Sequence, residues 1–194
     1  MFQIRFHGRG GQGVVTAAEM LSVAAFIEGK YAQAFPSFGS ERMGAPVISY
    51  CRIDNKEIRL REPIGEPDAV IIQDPTLLNS VDVFSGLKPD GFMLINSTQS
   101  YEALGLADFI KTFSPEKLGR VPGTDLALEH IGRPVPNAAL LGGLAAITKI
   151  ITLDSVIGAV RQKFSGGIAE ANITIVKLAY ECATHQLETG ESSC

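Results

Sequence analysis

The sequence predicts an α/β fold: a single layered α/β/α domain with a mostly parallel sheet, one hairpin and a Rossmann-like start. Three observations predict it. The chain opens strand–helix–strand, its later apolar runs are short and separated by helical segments, and its C-terminal third is helical throughout.

Each element follows in order. Phe2 to His7 alternates and is rich in large side chains, which predicts a strand. Gly8-Arg9-Gly10-Gly11-Gln12-Gly13 breaks the pattern, and Val14 to Ile27 continues as a helix that is apolar nearly all round, Glu19 and Ser22 excepted. Gly29 ends that helix. Tyr31 to Phe35 reads as a second strand, Pro36 to Pro46 as a loop, and Val47 to Arg52 as a third strand. A turn at Asp54-Asn55 then suggests a hairpin with a strand over Lys56 to Arg61. Ala69 to Gln73 and Phe92 to Asn96 are short apolar runs of the kind that form buried strands. Between them lie a short helix over Thr76 to Phe84 and a turn at Lys88-Pro89-Asp90-Gly91.

The remainder is helical. Ser114 to Lys117 reads as a loop or helix start, and Thr124 is placed to cap a short helix through Ile131. Pro136-Asn137 opens an apolar helix to about Ile151, and Asp154 to Phe164 is amphipathic. After Ser165-Gly166-Gly167, the last helix over Ala169 to Leu187 carries a stripe of Ile173, Val176, Tyr180, Ala183 and Leu187, with Asn172, Lys177, Glu181 and Glu188 facing away. Residues 1–188 are expected to form one domain and 189–194 a flexible tail.

Composition narrows the class. With 194 residues the chain is long enough to bury a sizeable core. Its net charge of -4 and pI of 5.4 argue against a protein built to grip nucleic acid. A mean hydropathy of +0.16 with 20% charged residues is apolar for a free monomer, which raises the expectation that partners cover part of the surface. The longest apolar run, Ala138 to Ile147, is too short to span a bilayer. No signal peptide is visible, so a cytoplasmic protein is expected. Cys51, Cys182 and Cys194 lack metal-ligand spacing and read as three reduced thiols.

The chemistry lies in two loops. Gly8-x-Gly10-x-x-Gly13 sits between a strand and a helix, where glycines allow close approach of an anion and the helix N-terminus offers unpaired N–H groups; Arg9 adds a positive charge. A dinucleotide site also wants an acid at the end of the second strand, but Ala32-Gln33-Ala34-Phe35 stands there, with Glu28 too early and Glu41 too late. A turn serving packing alone, another phosphate or nucleotide contact, and an interface role stay open. The second loop, Phe35 to Pro46, leaves the same sheet edge. Ser37, Phe38, Gly39, Ser40 and Arg42 are its candidate binding residues, and Glu41-Arg42 reads equally as a solvated surface pair. No P-loop, G-x-S-x-G, metal-ligand set or nucleophile–base pair is present, and His7, His130 and His185 read as ordinary histidines. No catalytic residue is assigned. Gly142 and Gly143 inside a helix mark a close approach of another backbone, within the fold or across a subunit interface.

Ile4 to Glu19 resembles the start of the gamma subunit of pyruvate:ferredoxin oxidoreductase, and Tyr31 to Val47 resembles that family more specifically. The similarity continues through Arg52-Ile53-Asp54, Asp74-Pro75 and the Asn137 to Gly142 helix, and fades after Gly167. The Gly44-Ala45-Pro46 form is similar to the pyruvate and 2-oxoisovalerate enzymes, although Met43 stands where that family carries arginine. The resemblance implies one subunit of an enzyme that decarboxylates a 2-oxoacid, pyruvate by preference, and yields acyl-CoA, CO2 and reduced ferredoxin. It places thiamine diphosphate and [4Fe-4S] clusters on the alpha, beta and ferredoxin-like delta subunits, with ferredoxin reached through the complex. It gives this chain the binding of coenzyme A, through Gly8, Arg9, Gly10, Gly11, Gln12, Gly13, Ser37, Phe38, Gly39, Ser40 and Arg42, and the covering of the active site. A purely structural subunit and a stand-alone nucleotide-binding oxidoreductase are the alternatives.

Overall fold

A computed structural model describes residues 1–37 and 43–190. Six strands form one sheet in the order β2-β3-β1-β4-β5-β6. They are β1 (Phe2–Arg9), β2 (Tyr31–Pro36), β3 (Pro46–Asp54), β4 (Ala69–Ile72), β5 (Phe92–Asn96) and β6 (Leu118–Val121). β1, β4, β5 and β6 run parallel, and β3 runs against both β1 and β2. The helices are α1 (Val14–Ile27), α2 (Ala107–Ile110), α3 (Gly123–Ile131), α4 (Asn137–Thr148), α5 (Leu153–Lys163) and α6 (Gly166–Thr189).

The mostly parallel sheet and the strand–loop–helix start are as expected, but the hairpin is elsewhere. β2 pairs with β3 from Tyr31↔Asp54 to Pro36↔Ser49, across the loop expected to be irregular. Lys56 to Arg61 forms no strand. β3 has only two edges, and β1 and β2 occupy both of them. The segment after β3 instead crosses the sheet face, where the Glu62 and Ile64 carbonyls accept from Arg52 and Arg5. Because β3 intervenes, β2 is parallel to β1 but not its neighbour, unlike the strands of a Rossmann unit.

Other boundaries shift for local reasons. The helix expected over Thr76 to Phe84 is a 3-10 turn at Pro75–Asn79, started by Asp74, whose side chain accepts from the Thr76 N–H. β6 and α2 were not anticipated: β6 is four residues, Leu-Gly-Arg-Val, too short for an alternating pattern. Lys149 in the left-handed region ends α4 before Ile151. α6 begins at Gly166 rather than Ala169, with Ser165 extended at its N-cap. Asn172 of α6 faces inward, buried, donating to the Ile168 carbonyl. Of the expected tail, Thr189 ends α6, and Glu191 to Cys194 lie outside the described residues.

One face of the sheet carries the main core. Ile4, Phe6, Cys51, Ile53, Ala69, Ile71, Leu94 and Val121 point to α1 and α3–α6. The opposite face is divided. Over β4 and β5, Val70, Ile72, Met93 and Ile95 pack under Leu77, Val83 and Leu106. Over β1 and β3 the face is polar, with Arg5, His7, Tyr50 and Arg52 all buried.

Internal packing accounts for much of the chain's apolar character. Eleven of the twelve residues of α4 are buried, Thr148 being the exception. Gly142 faces the Val176 backbone carbonyl of α6 so closely that a Cβ there would collide with it, and Gly143 lies against Val121 and Leu94. Gly142 therefore serves a helix crossing within the fold, and Gly143 the packing of α4 on the sheet. α1 packs on the sheet and α5, and Glu28 just beyond it accepts from the Thr152 N–H at 2.6 Å and from Lys30 at 2.9 Å. Burial opposes the ionisation of Glu28, but these hydrogen bonds outweigh it and lower its pKa to about 2. Cys51 is free and buried, whereas Cys182 is disulfide-bonded, so the expectation of three reduced thiols does not hold.

Gly142→Val should therefore cost more than about 2 kcal/mol of unfolding free energy in a denaturant titration, since the colliding atom is backbone and α4 and α6 must separate. Gly143→Ala should cost less, because its neighbours at 3.0 to 3.2 Å are side-chain methyls that can shift.

Candidate functional site

The parallel strands end on one edge of the sheet, and the loops there form the candidate site. β1 runs into the glycine loop, β2 into the second loop, β4 into Gln73-Asp74-Pro75-Thr76, β5 into Ser97 and β6 into Pro122. An isolated bridge between Gly10 and Met43, with the bond from Gly10 N–H to the Ala45 carbonyl at 2.9 Å, ties the two predicted loops together. The structure thus brings Gly8 to Gly13 beside the end of the second loop. Ser37 is exposed at the end of β2. Phe38, Gly39, Ser40 and Arg42 lie outside the described residues.

The glycines have distinct tasks. A Cβ on Gly8 would strike Val14 Cγ2 at 2.6 Å, so Gly8 lets the helix start press on the strand. Gly13 is the N-cap of α1 at φ 72, and a Cβ there would lie 2.5 Å from Asn137 Nδ2, where α4 begins. Gly11, at φ 95, would meet Met43 Sδ at 2.9 Å. With glycine as the cap, no capping side chain hydrogen-bonds to the N-terminus of α1. The N–H groups of its first turn have no partner within the helix, and they carry the positive end of its dipole. A cavity of about 290 Å³ opens there, lined by Arg9, Gly10, Gly11, Gly13, Val14, Thr16, Met43 and Val47 among others.

Arg9 is already held. Its guanidinium donates to Thr76 Oγ1 at 2.8 Å and to the Gly44 carbonyl at 3.1 Å, and lies 3.3 Å from Asp74. Gln12 completes the cluster: its Oε1 accepts from the Arg9 N–H and its Nε2 donates to Asp74 at 2.8 Å. Burial works against the Asp74 charge, but hydrogen bonds from Thr76 and Gln12, with Arg9 nearby, hold its pKa below the ordinary carboxylate value. Asp74, Thr76 and Gln73 were missed as site residues. Their only signal in the sequence was the Asp-Pro step after a buried strand, which reads as a turn.

Beyond the Arg9–Thr76 pair, a larger cavity of about 540 Å³ lies over the ends of β4, β5 and β6. Its polar lining includes Thr76, Asn79, Asn96, Ser97, Thr98, Gln99, Thr124 and Asp125. Asn96 organises it, donating to the Gln73 carbonyl and to Thr124 Oγ1 and accepting from the Thr124 N–H at 3.0 Å. Thr124 therefore serves this network; the N-cap of α3 is Pro122.

His7 stands next to the glycine loop in sequence but points to the polar sheet face. It is 2% exposed, and its Nε2 accepts from Arg5 Nε at 2.9 Å. Burial first, and the Arg5 charge second, lower its pKa to about 3, so it is a neutral acceptor and no acid–base group at pH 7. Arg5 also donates to the carbonyls of Ile64, Val83 and Ser85. No group of three or more His, Cys, Asp and Glu among the described residues is placed to hold a metal.

The His7 imidazole would take a proton near pH 6.5 when unfolded but only near pH 3 when folded. Between those values the unfolded state binds more protons, so stability is full above about pH 6.5 and falls as pH drops. His7→Gln, which keeps an acceptor for Arg5, should flatten the pH dependence of unfolding free energy between pH 6.5 and 3, by up to about 1.4 kcal/mol per pH unit.

Residues 3–182 match the model of the family described as pyruvate ferredoxin/flavodoxin oxidoreductase. The common gamma subunit of the pyruvate/ketoisovalerate oxidoreductases of Pyrococcus furiosus is 48% identical over 181 residues, 93% of this chain and 96% of that relative. The pyruvate synthase subunit PorC of Methanothermobacter marburgensis is 44% identical, over 95% of this chain and 99% of that one. The crystal structure of the pyruvate oxidoreductase subunit PORC from Thermotoga maritima matches with a TM-score of 0.78 at 36% identity, covering 93% and 95% of the two chains.

Proposed function

The chain belongs to the pyruvate ferredoxin/flavodoxin oxidoreductase family, and on that premise we propose that it acts as the gamma subunit of a pyruvate:ferredoxin oxidoreductase, binding coenzyme A and covering the active site. The whole enzyme converts a 2-oxoacid to acyl-CoA, CO2 and reduced ferredoxin. In this reading residues 1–188 are its gamma-type domain and 189–194 a tail, working in the cytoplasm with alpha, beta and ferredoxin-like delta subunits. Those partners hold the thiamine diphosphate and [4Fe-4S] clusters and pass electrons to ferredoxin. No helix among the described residues is long and apolar enough to cross a membrane.

One observation carries the coenzyme A assignment: the N-terminus of α1, capped by Gly13 alone, opens into a cavity beside Arg9 on the edge that also bears the second loop. Coenzyme A carries a diphosphate and a 3′-phosphate, and first-turn N–H groups suit such anions. At about 290 Å³ the cavity suits a phosphate portion rather than the whole molecule. Gly10, Gly11 and Gly13 line it, with Gly8 and Gln12 in the same loop; Arg9, with Ser37, Phe38, Gly39, Ser40 and Arg42 of the second loop, would complete the contact. The chain's task is to bind and orient the thiol donor and to exclude water.

A second reading is favoured by the Arg9–Asp74 pair, which compensates the arginine internally. On that reading the loop is a rigid docking element, and the chain is structural.

Steady-state kinetics of the assembled enzyme separate the two. Arg9→Ala with Arg42→Ala should raise the KM for coenzyme A about tenfold or more with kcat nearly unchanged, a loss of about 1.4 kcal/mol of binding. Unchanged coenzyme A kinetics with impaired assembly would assign the loops to docking. Asp74→Asn gives the opposite sign: removing the carboxylate beside Arg9 should lower the KM for coenzyme A.

A further inference from the structure

The two outer edges of the sheet are treated differently. At β6, the Gln186 carboxamide of α6 accepts from the Arg120 N–H at 3.2 Å and donates to the Arg120 carbonyl at 2.8 Å, as a neighbouring strand would. That edge is closed from within. No described residue closes the outer edge of β2. The bond from Ser37 N–H to the Ile48 carbonyl sets the phase of the β2–β3 ladder. Tyr31, Gln33 and Phe35 direct their backbone groups to β3, so Ala32 and Ala34 direct theirs outward. Edge strands are usually blunted by charge or proline. β2 carries no charged residue, and its proline comes only at Pro36.

We propose that the outer edge of β2 is the site at which a second copy of this chain adds, antiparallel, about a two-fold axis through Gln33. The strand is self-complementary in that register. Ala32 faces Ala34 of the second copy, and the outward N–H and C=O groups of these alanines make four hydrogen bonds across the axis. Tyr31 faces Phe35 of the second copy on the polar side of the sheet. There it extends a row in which Phe35 already stacks on Tyr50 at 5.0 Å and Arg52 lies 5.2 Å over the Phe35 ring. Gln33 faces its own copy; its Oε1 accepts from Arg52 at 3.4 Å, which leaves its NH2 for the partner. A shift that centres the axis on Ala34 would oppose Ala32 to Pro36, which has no N–H to give, and one that centres it on Ala32 would oppose Ala34 to Lys30, whose N–H already donates to the Ala25 carbonyl, so one register is selected. A neutral strand brings no like charges together on the axis. Tyr31, 52% exposed on the strand itself, adds apolar area to the contact.

The test uses the full chain, alone and in the assembled enzyme. Opposed residues at a non-hydrogen-bonded antiparallel pair lie about 4.5 Å apart between Cα atoms, within disulfide reach. Gln33→Cys should therefore give a disulfide-linked dimer on mild oxidation, whereas Tyr31→Cys, opposite Phe35, should not. In sedimentation equilibrium the unmodified chain should be a dimer. Gln33→Glu, which keeps a partner for Arg52 but sets two carboxylates face to face, and Ala34→Pro, which removes an outward N–H, should each lose the dimer while retaining the native circular dichroism spectrum. A monomeric unmodified chain would overturn the proposal. So would a dimer that survives both folded variants, or Gln33→Cys linking no better than Tyr31→Cys or to a different subunit.

Discussion

The eight-residue antiparallel ladder between β1 and β3, from Phe2↔Ile53 to Arg9↔Pro46, is the constraint on which the rest is arranged. It places β3 between the two strands that flank α1, and so turns a start that reads as a simple β–α–β unit into a sheet with a central antiparallel strand. Because β3 runs against β1 and β2 together, its first residues meet the last residues of both. The glycine loop and the second loop must then share an edge, and the parallel pairing of β4, β5 and β6 brings their exits to the same place. The ladder also displaces β2 to the outside, where no described residue pairs with its outer edge.

The polar face of that ladder is unusual for the middle of a sheet. Arg5 and Arg52 are buried, and their hydrogen bonds go to backbone carbonyls, a neutral histidine and glutamine oxygens. Such donors are expensive to bury unpaired, and the segment from Asn55 to Glu66 crosses this face and supplies two of the carbonyls. That role explains why a stretch without regular structure is held over the sheet. At the sheet edge the logic differs, for Arg9 meets a carboxylate, Asp74, which itself is fixed by Gln12 and Thr76. The glycine loop is thus a rigid, internally compensated element with the open end of α1 as its positive feature.

The low charge fraction has two sources. Most of it is internal, since α4 is enclosed by the sheet and α6, and α1 by the sheet and α5. The remainder is on the surface, at residues that include Phe26, Ile27, Tyr31, Met43, Leu60, Leu128 and Ile168. Burial of the helices therefore answers much of what composition alone would assign to partner subunits.

The local signals in the sequence were sufficient for the α/β class, for β1, α1, β4, β5 and the C-terminal helices, and for the glycine loop, because periodicity, glycine placement and short apolar runs act over a few residues. The long block around the second loop was enough to identify the family. Pairing was not legible. Lys56 to Arg61 alternates as well as a true strand does, and only the occupation of both edges of β3 excludes it. The direction of Gly142, toward Val176 of α6, 34 positions later in the chain, depended on how the two helices cross. Asp74 looked like a turn residue until β1 and β4 paired and brought it to Arg9, 65 positions earlier in the chain. Local patterns in the sequence were enough for most of the elements and for the family, but not for a four-residue strand such as β6 or for the fate of Lys56 to Arg61. Which strands are neighbours, which charges compensate each other and which strand lies outermost came from the tertiary structure, because these depend on contacts between residues far apart in the chain.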